Sequence, residues 1–175
     1  MRNLLTAFII GILCMQAHAR GTSTSSGDEP LETVVKLSFG TYAGECIGYC
    51  VKELNIQIAE GLEDVFAQKV RYSWDRNDPA YPPRFTGKIL GITEYQRLLN
   101  VTNLPAFQAL RPKYGCPDCA DGGAVWIALT SSKGLTYRVE FDDITDILAS
   151  GFSETAYYNS ILPLHDSLRT LFNEL

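Results

Sequence analysis

The chain has 175 residues, of which 46% are hydrophobic, 11% aromatic and 20% charged. Those proportions describe a globular domain and exclude a disordered tail, a collagen-like repeat or a coiled coil. Fifteen basic against twenty acidic side chains leave a formal charge of -5, which argues against a broad nucleic-acid surface.

Residues 1–19 read as a secretory signal peptide. Arg2 gives a short positive start, Leu4 to Met15 is apolar apart from Thr6 and Gly11, and Ala17-His18-Ala19 sets small residues at a cleavage site before Arg20. The apolar run is shorter than the roughly 20 residues of a membrane helix. Cys14 follows Ile12-Leu13 with no small residue before it, unlike a bacterial lipoprotein anchor. Export is therefore expected: secreted and extracellular, or periplasmic or envelope-located in a bacterial host. Residues 20–32, with RGTSTSSGDEP, read as a flexible leader. Residues 33–175 read as one domain without a membrane span.

Within the domain, Thr33 to Phe39 is β-branched and aromatic and reads as a strand. Val51 to Ala59 alternates through Leu54, Ile56 and Ile58, the period of a half-buried strand. Val65 to Trp74 forms its hairpin partner across the turn Glu60 to Asp64. Asp75 to Pro83 must be a loop, because its prolines cannot hold a strand ladder. Phe85 to Leu90 adds a short strand. Thr93 and Gln96 form a capping box for a helix whose apolar side carries Ile92, Tyr95, Leu98 and Leu99. Asn103 caps a second short helix through Phe107 and Leu110. Ala124 to Thr130 and Leu135 to Phe141 form a hairpin. Ile161, Leu164, Leu168, Leu171, Phe172 and Leu175 share one face of a terminal helix, with Pro163 in its first turn or at a kink. The expected fold class is α+β: a single domain, an antiparallel sheet with helices packed on one face.

Four cysteines follow the leader, in two short motifs, Cys46-Ile47-Gly48-Tyr49-Cys50 and Cys116-Pro117-Asp118-Cys119. An even count in an exported chain reads first as two disulfides. Local pairing closes small loops; crossed pairing would tie the two halves together and stabilise more. The pairing stays open, with a lean towards local pairs because Gly48 and Pro117 suit self-contained turns. Two other readings compete: a zinc site on Cys46, Cys50, Cys116 and Cys119 if the turns meet, and a redox pair at Cys116 and Cys119. Asp118 and Asp121 disfavour the thiolate that redox chemistry needs.

The remaining candidates have plain structural explanations. Asp118, Asp121, Gly122 and Gly123 lack the alternating ligands of an EF-hand. His165, the one histidine after the signal, reads as a surface or boundary residue of the terminal helix. Asp142, Asp143 and Asp146 suit turn and cap roles. Asn100-Val101-Thr102 is an N-glycosylation sequon if the host is eukaryotic. Tyr42, Tyr49 and Tyr81 are candidates for a binding surface. No catalytic residue set and no cofactor motif assembles from the spacing.

The early strand, Cys46-Ile47-Gly48-Tyr49-Cys50, Phe107-Gln108-Ala109-Leu110 with Tyr114, and the Leu-rich terminal helix resemble a family of small secreted domains of unknown function. In that family Pro usually follows the second cysteine, where this chain has Val51. The resemblance implies a fold and no activity. The expected function is that of a secreted, disulfide-braced, non-catalytic domain that binds an extracellular protein or matrix partner, or serves as a matrix or envelope component. The alternatives are a thiol-disulfide or zinc-dependent protein centred on Cys116 and Cys119, and an inhibitor of a secreted enzyme.

Overall fold

The computed structural model describes residues 32–58, 64–119, 122–142 and 155–175. The signal and most of the leader lie outside these residues, as do Asp121, Asp143 and Asp146. The elements in chain order are β1 (Val34–Tyr42), β2 (Val51–Ile58), β3 (Val65–Tyr72), β4 (Arg84–Leu90), α1 (Ile92–Asn100), α2 (Leu104–Gln108), β5 (Lys113–Tyr114), β6 (Ala124–Ser131), β7 (Thr136–Phe141) and α3 (Thr155–Glu174). The strands form one sheet in the order β4-β3-β2-β1-β6-β7-β5. Every pairing is antiparallel except that of β5 with β7. The result is a single α+β domain on a mixed, mostly antiparallel sheet.

Alternation sorts the side chains of each strand. Leu37 stands opposite Ile56 and Leu129, and Phe39 opposite Leu54 and Ile127. Ala67 continues the row on β3 and Val139 on β7. All of these are buried, and one core cluster joins them to Tyr95 and Leu98 of α1, Phe107 of α2, and Ile161, Leu164 and Leu168 of α3. The Phe39 ring meets Phe172 edge-on at 5.2 Å. The helix residues recur every three or four positions, so one stripe of each helix supplies apolar surface.

Several local expectations change on contact with the structure. Gly91, not Thr93, occupies the N-cap of α1 without a side-chain bond, so the proposed capping box lies inside the first turn. Asn103 does cap α2, its Oδ1 accepting from the Ala106 amide at 3.1 Å. Pro163 sits inside α3, well past its first turn. His165 is buried rather than at the surface, with its ring against Phe39 and Phe141 at 5.7 Å each. β5 has only two residues and carries no periodicity that a sequence could reveal.

One buried cation belongs to the architecture. Lys69 on β3 faces the core side, and its Nζ donates to the Phe172 carbonyl in the last turn of α3 while lying 4.0 Å above the Phe172 ring. A cation there satisfies a carbonyl with no partner inside the helix. Burial, followed by repulsion from Arg71 and Lys52, pulls its pKa below the usual 10.5.

Tyr95 gives a stability prediction. Its hydroxyl is buried with no hydrogen-bond partner among the described residues, and burial raises its pKa above the usual 10.0. An unpaired buried hydroxyl costs roughly 1–3 kcal/mol. Tyr95→Phe should therefore stabilise the domain by about 1 kcal/mol in urea unfolding at pH 8. Because the folded pKa is raised, the unfolded chain loses this proton first, so the contribution of Tyr95 is constant below pH 10 and falls as pH rises from there through the folded pKa. The variant should show a shallower alkaline loss of stability; an equal slope, or destabilisation at pH 8, would sink the assignment.

Candidate functional site

The face of the sheet turned away from the buried apolar row carries a different set of residues. On it Gly40 stands between Glu53 and Trp126, Tyr42 is opposite Val51, Val51 is opposite Tyr72, and Trp126 is opposite Glu140. All of these but Gly40, with Trp74 and Arg76 from the β3–β4 loop, Asp118 and Arg138, line a cleft of about 480 Å³. Gly40 makes the floor possible. A Cβ at this position would overlap the Trp126 indole, so only glycine lets that ring lie across β1.

Both arginines of the cleft are paired with carboxylates inside it. Arg76 reaches Glu53 at 3.3 Å and stacks 3.9 Å above the Tyr72 ring. The Tyr72 hydroxyl donates to the same carboxylate at 3.1 Å, and Asn55, held by Ser38, donates to its other oxygen at 2.8 Å. Arg138 donates to Glu140 Oε1 from Nε at 3.0 Å and from Nη2 at 2.6 Å, while lying 4.1 Å above the Trp126 ring. Each arginine therefore occupies an aromatic face and a carboxylate at once. Trp74 is different. It is 52% exposed, with the Tyr42 ring set edge-on to it at 5.4 Å.

Burial raises the pKa of Tyr42, helped by the negative charges of Glu140 and Asp118 and opposed by Arg138. Burial likewise leads the upward shift of Tyr72, against the hydrogen bond from Arg76. Both phenols thus remain neutral donors at physiological pH.

Three loops meet at this end of the sheet: residues 43–50 after β1, 73–83 after β3, and 115–119 with 122–123 before β6. Two of them carry the cysteines. Cys46 and Cys50 stand together with Cα atoms 5.6 Å apart, and Cys116 and Cys119 with Cα atoms 5.3 Å apart; both are close pairs that fit local disulfides. Gly48 has φ 108° and lies under Tyr81, whose ring meets Tyr49 edge-on at 5.8 Å. The first cysteine loop thus packs on the proline-rich loop that carries Trp74. In the other loop the Asp118 amide donates to the Gly123 carbonyl at 2.8 Å, which turns Asp118 towards the cleft.

The structure separates the sequence candidates. Tyr42 lines the cleft, whereas Tyr49 and Tyr81 pack on each other at its outer side. Asn100 is the exposed last residue of α1. Among the described residues no group of three or more His, Cys, Asp and Glu side chains is placed to hold a metal ion, so the four-cysteine zinc arrangement is not assembled there. No helix among them is long and apolar enough to cross a membrane.

Glu53, Tyr72, Trp74, Arg76, Trp126, Arg138 and Glu140 escaped the sequence reading. For the strand residues the signal is the outward half of each strand's alternation, where aromatic and charged residues stand in place of ordinary solvated ones; Trp74 and Arg76 lie in the β3–β4 loop, which has no such period. Compared with family models, curated proteins and solved structures, the chain has no match.

Proposed function

We propose that the chain is a secreted, non-catalytic binding domain with locally paired cysteines, and that its open-face cleft takes a carbohydrate chain of an extracellular matrix or cell envelope. The likeness to small secreted domains and the reading of residues 1–19 as a signal support the location. On this reading α1, α2 and α3 cover the opposite face of the sheet and leave the cleft face to a ligand.

The observation that carries the proposal is the combination of one solvent-facing indole, Trp74, with two arginine–carboxylate pairs already neutralised inside the cleft. The C–H face of a sugar ring stacks on such an indole, and its hydroxyls accept from guanidinium edges and donate to carboxylates. An anionic ligand would instead have to draw an arginine out of its internal pair and leave a carboxylate uncompensated.

Trp74→Ala is the test, because the side chain is half exposed and its loss should leave the core intact. Titration of soluble polysaccharides, followed by tryptophan fluorescence and calorimetry, should show binding that weakens at least tenfold in the variant, about 1.4 kcal/mol. Absence of binding across neutral polysaccharides, or equal binding by the variant, refutes the proposal.

A further inference from the structure

The sheet ends at β4, a seven-residue strand reading RFTGKIL. It contains no proline, and its free edge is one a further strand could join. On the same face as the cleft, but at this outer edge, Phe85 is 61% exposed, Ile89 63% and Phe66 41%. Phe66 lies opposite Ile89 in the β3–β4 register, and its ring leans over Gly87, where a Cβ would stand 3.0 Å from the Phe66 Cζ. Two large apolar side chains on the edge strand and one on its neighbour thus form a patch beside a strand edge with no partner among the described residues, a combination that folded proteins normally avoid unless something covers it.

We propose that β4 pairs antiparallel with β4 of a second copy of this chain, about a twofold axis at Gly87, so that two seven-stranded sheets become one. This register is fixed by the sequence of the strand. With Gly87 opposite Gly87, Phe85 faces Ile89 of the second copy and Ile89 faces its Phe85, while Phe66 of each copy flanks the contact. Thr86 falls opposite Lys88, and Arg84 opposite Leu90, so no like charges stand directly across from one another. Lys88 is already held by Glu174 at 2.9 Å and Glu94 at 3.4 Å and brings no unpaired charge to the seam. The apolar pattern is symmetric about the glycine, and a twofold contact requires that self-complementarity. An unrelated extended peptide has no such requirement, which is why the second copy is the favoured occupant. The inference rests on strand register and exposure and is independent of what the cleft binds.

Light scattering on the size-exclusion-purified secreted chain, across a concentration series, tests it. The wild type should have the mass of a dimer, and Phe85→Asp should weaken dimerisation roughly a hundredfold with unchanged far-UV circular dichroism. Leu135→Asp, at a side chain 52% exposed on the β6–β7 turn, should leave the dimer unaffected. Ile89→Lys is a second interface variant should Phe85→Asp fail to fold. Amide exchange supplies a mutation-free readout, since β4 protection should fall on dilution. A monomeric wild type, a dimer that survives both folded β4 variants, a filament, or β4 protection independent of concentration would overturn the proposal.

Discussion

Replacing Phe39 by alanine should destabilise the domain by about 3–5 kcal/mol. Phe39 lies on the central strand β1, is 2% exposed and has Leu54 and Ile127 as its register neighbours. Its ring contacts Phe172 and His165 of α3, so truncation opens a void where the sheet meets that helix. The site has little means of collapsing, because the backbone of β1 is held by strands on both sides. A cavity of about 220 Å³ lined by Phe39, Thr41, Val125, His165 and Phe172 already lies beside it, and the new void would merge with that space. Urea unfolding should show a lower midpoint with an unchanged slope. A cost below about 1 kcal/mol would mean that Phe39 is not a keystone of the core.

Gly123→Ala should cost roughly 2 kcal/mol or more, for two separable reasons. Gly123 has φ 81°, a left-handed conformation that costs an L-residue roughly 1–2 kcal/mol. In addition, the new Cβ would overlap the Tyr42 carbonyl and crowd the Ala43 Cα. Those are backbone atoms of the neighbouring strand and cannot rotate away. Gly134 isolates the first reason, having φ 78° with nothing within 4 Å of an added Cβ. Gly134→Ala should therefore show the conformational cost alone, and Gly123→Ala distinctly more. Equal losses in parallel urea melts would show that β1 and the loop before β6 are not pressed together as described.

Much of the fold was legible because burial follows periodicity. Leu54 and Ile56 alternate on β2, and Leu164, Leu168 and Leu171 recur at helical spacing on α3; both sets are buried. Asn103 was legible because its cap is a local bond. β5 was not, since two residues have no period and its parallel pairing with β7 is decided by tertiary context. His165 was misjudged because a polar side chain can be buried among rings when neighbouring groups engage it, as Asp166 does at 3.1 Å from Nδ1.

The cleft was hidden for a different reason. Trp126 stands between Val125 and Ile127 in a run that reads as apolar throughout, so its facing is ambiguous until the register with β1 is known. Glu53 and Glu140 approach the same cleft only because β1 and β6 separate β2 from β7 in the strand order. That order is a non-local outcome, and no window along the chain contains it. Tyr42, the cleft residue that the sequence offers for a binding surface, is visible because it ends a strand beside a cysteine motif.

The central position of β1 also sets a timetable for the growing chain. Its partner β2 follows almost at once, but β6 arrives only after five intervening strands and helices have been made. Until then a nascent meander of β1 to β4 carries, besides the β4 edge, a second raw border at β1, the strand that bears Leu37 and Phe39. Contacts between such distant segments close slowly, so the interval before β6 docks is the period in which this polypeptide is most open to sticking to its neighbours and most in need of a chaperone.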